Sequence, residues 1–227
     1  MEEKKVYAVA VDGPSGAGKS TLAKAIAREM NIIYVDTGAM YRCIGLYMYR
    51  SGIGSKDVPE VIAALPQVHI EMRYEDGLQH MMLNGRDVTE EIRLPEMSMY
   101  ASDVSAIPEV RAFLLETQRA FARENSVIMD GRDIGTVILP DATLKVYLTA
   151  EPGIRAERRY NQLREQNELS GETLESIEQD IRERDFRDEN REHAPLKQAK
   201  DAVLLDTSYL TIREVEERIE SLLRERI

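Results

Sequence analysis

The chain has 227 residues, 43% hydrophobic and 31% charged, which suits one α/β domain carrying an insertion or two small domains. A formal net charge of −11 excludes a surface broadly attractive to nucleic-acid polymers or anionic membranes, so any phosphate ligand must be met by locally concentrated positive charge. The single cysteine, Cys43, excludes an internal disulfide and a multi-cysteine zinc site.

Met1-Glu2-Glu3-Lys4-Lys5 lacks an apolar signal core, and no run approaches the ~18 apolar residues of a membrane span. With one cysteine, this points to a reducing compartment, and a cytoplasmic monomer is expected. Val6 to Val11 is a β-branched apolar run ending at Asp12 and predicts a buried strand. A glycine-bearing loop follows, then a helix over about Lys19 to Met30 with Leu22, Ala23, Ile26, Ala27 and Met30 on one face. Ile32 to Val35 predicts a second strand, and a helical pattern runs from Thr37-Gly38 to about Arg50. Alternating strands and helices are the rhythm of a parallel sheet with crossover helices.

The rhythm then changes. Val68 to Met72 and Leu78 to Leu83 are strand-like, separated by Glu75-Asp76-Gly77 and followed by Asn84-Gly85, a strong hairpin-turn signal. A helix is expected over about Pro108 to Arg123, strands at Ser126 to Met129 and Leu144 to Thr149, and a charged helical region from Pro152 to Arg191 broken near Asn167 to Gly171. Ala202 to Leu205 predicts the last strand, and an amphipathic helix carries Ile212, Val215, Ile219 and Leu222. The expected architecture is an α/β P-loop fold: a parallel sheet flanked by helices, a small antiparallel insert and a helical lid. Residues 1–62 and 99–227 would form the core, 63–98 the antiparallel insert, and 155–191 the lid.

The first chemical signal is Gly13-Pro14-Ser15-Gly16-Ala17-Gly18-Lys19-Ser20, which fits G-x-x-x-x-G-K-[ST] between a predicted strand and a predicted helix. Glycines let backbone N–H groups curl around phosphate oxygens, and the following helix N-terminus adds partial positive charge. Lys19 would reach the β- and γ-phosphates, and the Ser20 hydroxyl would ligate Mg²⁺; Thr21 completes the binding segment. A guanine-reading Asn-Lys-x-Asp segment is excluded, because no Asn-Lys pair occurs.

Other segments are more open. Thr37, Tyr41 and Arg42 follow a strand end, where open α/β sheets bind ligands, so Arg42 could grip a phosphate or simply be solvated. Asp130 ends an apolar strand, a common place for an acidic group that holds Mg²⁺ or its water. Arg132 and Asp133 come next, and could equally form a local ion pair in a turn. Arg184, Arg187, Asp188 and Arg191 share a helical face, but residues 182–191 balance four Arg against four acids, as a solvated helix also would. Arg155, Arg158 and Arg159 share another face where a triphosphate could be clamped, and their spacing does not say which points inward; Arg159 is assigned to the transferring phosphate.

Three segments, Asp36-Thr37-Gly38-Ala39-Met40-Tyr41-Arg42, Asp130-Gly131-Arg132-Asp133-Ile134-Gly135-Thr136 and Arg184 to Arg191 with the trailing Ala194-Pro195-Leu196, join the phosphate loop in a set that resembles the bacterial cytidylate kinase family in order and spacing. The resemblance covers nearly the whole chain. It implies transfer of the γ-phosphate of ATP, with Mg²⁺, to CMP or dCMP in pyrimidine nucleotide metabolism. It implies that Arg132 binds acceptor phosphate, Asp133 contacts the sugar, and Arg184, Asp188 and Arg191 read cytosine and phosphate, with Ser102 and Arg111 as further acceptor contacts. The expected partners are small nucleotides, with no nucleic-acid polymer or membrane. The rivals are another nucleoside monophosphate kinase, such as guanylate kinase, and a nucleotide-binding regulatory switch without turnover. The lone cysteine excludes a zinc-lidded adenylate kinase. His69, His80 and His193 have no ligand-like spacing, and no general base is assigned.

Overall fold

A computed structural model describes residues 6–75, 78–169 and 171–227; Met1 to Lys5, Asp76-Gly77 and Ser170, which falls in the break expected near Asn167 to Gly171, lie outside the described residues. In chain order the elements are β1 (Ala8–Asp12), α1 (Lys19–Glu29), β2 (Ile33–Asp36), α2 (Thr37–Arg50), α3 (Val58–Ala64), β3 (Ile70–Glu75), β4 (Leu78–Leu83) and β5 (Arg86–Asp87). They continue with α4 (Pro95–Val104), α5 (Pro108–Glu124), β6 (Val127–Gly131), β7 (Leu144–Thr149), α6 (Pro152–Glu165), α7 (Leu174–Asn190), β8 (Val203–Asp206) and α8 (Ile212–Arg224). A π-helical segment, Ile134–Ile138, follows β6.

The described residues form two compact units, one within Met1–Tyr34 and Glu124–Ile227, the other Val35–Arg123. The first is built on a five-stranded sheet in the order β2-β6-β1-β7-β8, and β1 runs parallel to both of its neighbours. Val9, Ala10 and Val11 are fully buried because this central strand is covered on both faces, which explains its unbroken apolar run. Leu22, Ala23 and Ile26 of α1 and Val215, Ile219 and Leu223 of α8 bury their stripes in the same core as Val9, Val146 and Leu148. A smaller cluster of Ala156, Leu163, Ile177 and Ile181 joins α6 to α7. Helix α7 starts with a reciprocal capping box between Thr173 and Ser176, so the chain re-enters the helix abruptly after the break.

The second unit holds the antiparallel sheet, ordered β3-β4-β5, with Met72 opposite Met81 and Leu83 opposite Arg86. Asn84 and Gly85 both have positive φ, 49° and 79°, the backbone a two-residue hairpin turn demands. Met81 and Leu83 share a core with Met40, Ile44 and Met48 of α2, Met97 of α4 and Leu114 of α5. Two helices, α3 and α4, were not expected. Each carries proline in its first turn, and at seven and ten residues neither is long enough to display a clear period. The strand expected from Val68 begins at Ile70 instead, because Val68 closes a short 3-10 turn over Leu65–Gln67. Val6 and Tyr7 likewise precede β1 rather than open it.

Candidate active site

In the first unit β1 ends at Asp12 and the chain enters the phosphate loop. Gly13 has φ 151°, and a Cβ there would lie 1.9 Å from the Leu148 carbonyl oxygen, so only glycine allows the loop to pass β7. Gly18, at φ 88°, precedes α1, whose N-terminus has no side-chain cap and leaves its first N–H groups available to an anion. Lys19 is buried and its Nζ donates to the Pro14 carbonyl at 2.7 Å. Burial and the Arg132 guanidinium pull its pKa down to about 7, against the carboxylates of Asp130 and Asp188. Ser20 and Thr21 are exposed at the loop's end.

The Ser20 hydroxyl donates to one oxygen of Asp130 at 2.8 Å, and the Tyr34 hydroxyl to the other at 2.9 Å. This hydroxyl–carboxylate pair is an all-oxygen donor set next to the phosphate loop, and it fits Mg²⁺, which takes one or two protein oxygens and fills the rest with water and phosphate. Among the described residues no group of three or more His, Cys, Asp or Glu forms a dedicated metal cage.

The α7 residues gather around β6. Arg132 donates through Nε to Asp188 at 2.7 Å, so it pairs across 56 residues rather than with its neighbour Asp133. Asp133 is buried and lies 3.9 Å from Arg191, whose Nε donates to the Ala194 carbonyl. Burial would raise the Asp188 pKa, but the guanidinium groups of Arg132, Arg184 and Arg191 outweigh it and hold the carboxyl below its ordinary value. Arg184 is half-buried beside this pair, whereas Arg187, on the same sequence stripe, is exposed.

The three-arginine clamp expected on α6 divides. Arg155 is buried and fully engaged: Nε donates to the Ala150 carbonyl and Nη1 to the Ser15 carbonyl, both at 2.8 Å, while Nη2 pairs with Asp185 at 2.7 Å. Arg158 donates to Thr207. Arg159 is exposed and donates to Gln162, away from the phosphate loop's own contacts. A shared helical stripe does not become a shared target, because the carbonyls of Ser15 and Thr207 each claim one guanidinium first.

In the second unit the Asp36 carboxylate caps α2 through the Ala39 N–H at 2.9 Å and holds Arg42 Nη2 at 2.9 Å with its other oxygen. Its own N–H donates to Gln79 of β4 at 3.0 Å. Arg42 Nε is buried and has no hydrogen-bond partner among the described residues. Thr37 is buried, and Tyr41 lies under the guanidinium of Arg111, 5.7 Å from ring centroid to Cζ. Arg111 also donates to the Ser105 carbonyl, and the Ser105 hydroxyl donates to the Ser102 carbonyl.

Four residues at these centres carried no assignment in the sequence: Asp12, Tyr34, Asp36 and Asp185. Asp12 accepts from the N–H groups of Ile134 and Gly135, and Asp185 from the N–H of Ser15 as well as from Arg155. For the three aspartates the one sequence signal was position, an acid closing an apolar strand or sitting between arginines of one motif; Tyr34, inside β2, carried none.

Loops of this shape bind triphosphates, and the cations gathered around this one, Lys19 with Arg132 and Arg184, suit the transfer of a phosphoryl group. By fold and site the molecule is a P-loop kinase. Within that class the chain belongs to the cytidylate kinase family, whose family model matches residues 9–225. It is 46% identical over 211 residues to a cytidylate kinase of Caldicellulosiruptor saccharolyticus, covering 93% of this chain and 92% of the relative. A cytidylate kinase of Fervidobacterium nodosum is 46% identical over 219 residues, 96% of each chain. Among solved structures, an uncharacterized protein from Eubacterium ventriosum shares the fold at 10% identity, with a TM-score of 0.54 over 98% of this chain and 100% of that one.

Proposed function

We propose that the protein transfers the γ-phosphate of ATP to CMP or dCMP, giving ADP and CDP or dCDP. The observation that carries this reading is the cluster of Arg132, Arg184, Arg191 and an ionised Asp188 in the same unit as the phosphate loop. An anionic Asp188 accepts from the exocyclic amino group of cytosine but meets another acceptor at the corresponding carbonyl of uracil, so one residue favours CMP over UMP. Arg184 and Arg191 donate to the base carbonyl and the acceptor phosphate. Asp133 takes the sugar hydroxyls, a role supported by the family's motif.

Phosphoryl transfer needs positioning and charge neutralisation rather than covalent chemistry by the protein. The attacking atom is an acceptor phosphate oxygen, already anionic at neutral pH, so no general base is required. The backbone N–H groups of the Gly13 to Thr21 segment, all but the Pro14 position, cradle the donor phosphates. Lys19 and Arg132 offset charge on the transferring group, and Arg159 joins them from the lid helices within 155–191, which exclude water. Ser20 and Asp130 would hold Mg²⁺, which would supply charge neutralisation at the donor phosphates. In the second unit the open Nε of Arg42 supports a role on acceptor phosphate, with Thr37, Tyr41, Ser102 and Arg111 as further acceptor contacts and 63–98 as the segment devoted to the acceptor. The setting is cytoplasmic pyrimidine nucleotide metabolism, with the protein acting as a monomer.

The test is ADP formation with Mg-ATP and a panel of CMP, dCMP, UMP, AMP and GMP. Preference for CMP and dCMP supports the reading. Preference for GMP or AMP overturns the base assignment, and ATP binding without acceptor-dependent turnover overturns the kinase reading in favour of a switch.

A further inference from the structure

Asp12 stands outside every motif role described above, and its surroundings are unusual for a carboxylate. It is buried at the end of β1, immediately before Gly13. One oxygen accepts from the Ile134 N–H at 2.7 Å and the other from the Gly135 N–H at 2.8 Å. The nearest lysine on β7, Lys145, is itself buried and committed to Asp201 at 2.8 Å. No cation is paired with Asp12 among the described residues.

An unpaired buried carboxylate is costly, and an apolar residue would close this strand at less expense. The two N–H groups it satisfies open the π-helical segment directly after Arg132 and Asp133. Gly135 leaves room for the contact: a Cβ there would lie 3.3 Å from Asp12 Oδ2 and 3.1 Å from Lys145 Cδ. The charged and titratable groups around Asp12 are Asp133 beside the π segment, Lys19 at the start of α1, and Lys145 and Tyr147 on β7.

We infer that Asp12 is a positioning residue for the acceptor: its two hydrogen bonds fix the turn carrying Arg132 and Asp133 at the strand end from which the phosphate loop departs. The inference rests on the acceptor role proposed for Asp133 and on the contact with acceptor phosphate that the family resemblance implies for Arg132. It assigns Asp12 no contact with substrate. Its effect passes through the Ile134 and Gly135 peptides to the side chains just before them, so it should appear in acceptor use more than in donor use.

Asp12→Asn keeps the shape but turns an amide NH₂ toward one of the two N–H donors. Gly135→Ala disturbs the same contact from the other side and keeps the question open should Asp12→Asn fail to fold. Initial rates are measured with each substrate varied at saturating partner, alongside thermal unfolding, with wild type first. The ratio of KM for CMP to KM for ATP is expected to rise roughly tenfold in Asp12→Asn, and to a smaller extent in Gly135→Ala. An unchanged ratio in the folded variants, whatever happens to Tm, overturns the inference and leaves Asp12 a structural cap. Absence of CMP turnover by wild type overturns the functional reading, and this inference with it.

Discussion

Asp188 and Asp12 illustrate how one side-chain type is driven in opposite directions. Three guanidinium groups keep Asp188 ionised, and this should be visible as specificity. Asp188→Asn presents both a donor and an acceptor, so discrimination between CMP and UMP should shrink by roughly tenfold or more, read as the ratio of kcat/KM values. An unchanged ratio would remove Asp188 from base recognition. Burial pushes Asp12 up to about 6, against the pull of its two backbone donors. A carboxyl raised in the folded state binds its proton more tightly there than in the unfolded chain. Its contribution to stability is therefore complete below about pH 4 and lost as pH rises through about 6. Unfolding free energy measured across that window should contain a declining component in wild type that Asp12→Asn lacks. The phosphate loop was legible in the sequence because its chemistry lies within eight consecutive residues. The Asp12 and Asp185 contacts were not, since their partners lie 122 and 170 positions away.

Among elements, legibility followed periodicity. Strands β4 and β7 begin and end where their alternating or apolar runs do, and α2 starts at Thr37, directly after its Asp36 cap. Helices α3 and α4 escaped notice because a proline-led first turn and lengths of only seven and ten residues leave too little period to follow. The Asn84-Gly85 turn was legible because its backbone is a property of two residue types rather than of distant packing. That locality gives a clean test. A Cβ on Gly85 meets nothing within 4 Å, so Gly85→Ala strains only the backbone at φ 79°. It should lower stability by about 1–2 kcal/mol in denaturant unfolding. Loss of several times that amount would mean the hairpin carries more of the second unit's stability than its exposed position suggests.

For the molecule as a whole, the acidic composition posed a problem that the fold resolves locally. A chain with net charge −11 collects Lys19, Arg132, Arg184 and Arg191 around one strand end and the phosphate loop. The sequence announced Arg184 and Arg191, with Arg187, as a stripe and Arg132 as a strand-end residue. It did not announce that Arg155 and Arg158 would be taken by carbonyls, because the acceptors belong to loops brought near only by the sheet. The core around the antiparallel sheet was also hidden. Met81 and Leu83 were legible as strand residues, but their burial against Met40, Met97 and Leu114 depends on segments spread from position 40 to position 114.

Phosphate transfer can be followed atom by atom with ATP labelled in its γ-phosphate and CMP as acceptor. The label should appear in the β-phosphate of CDP, with ADP formed in equal amount and little label released as inorganic phosphate. Label released mainly as inorganic phosphate, at a rate indifferent to CMP, would show a nucleotide hydrolase or switch and contradict the account.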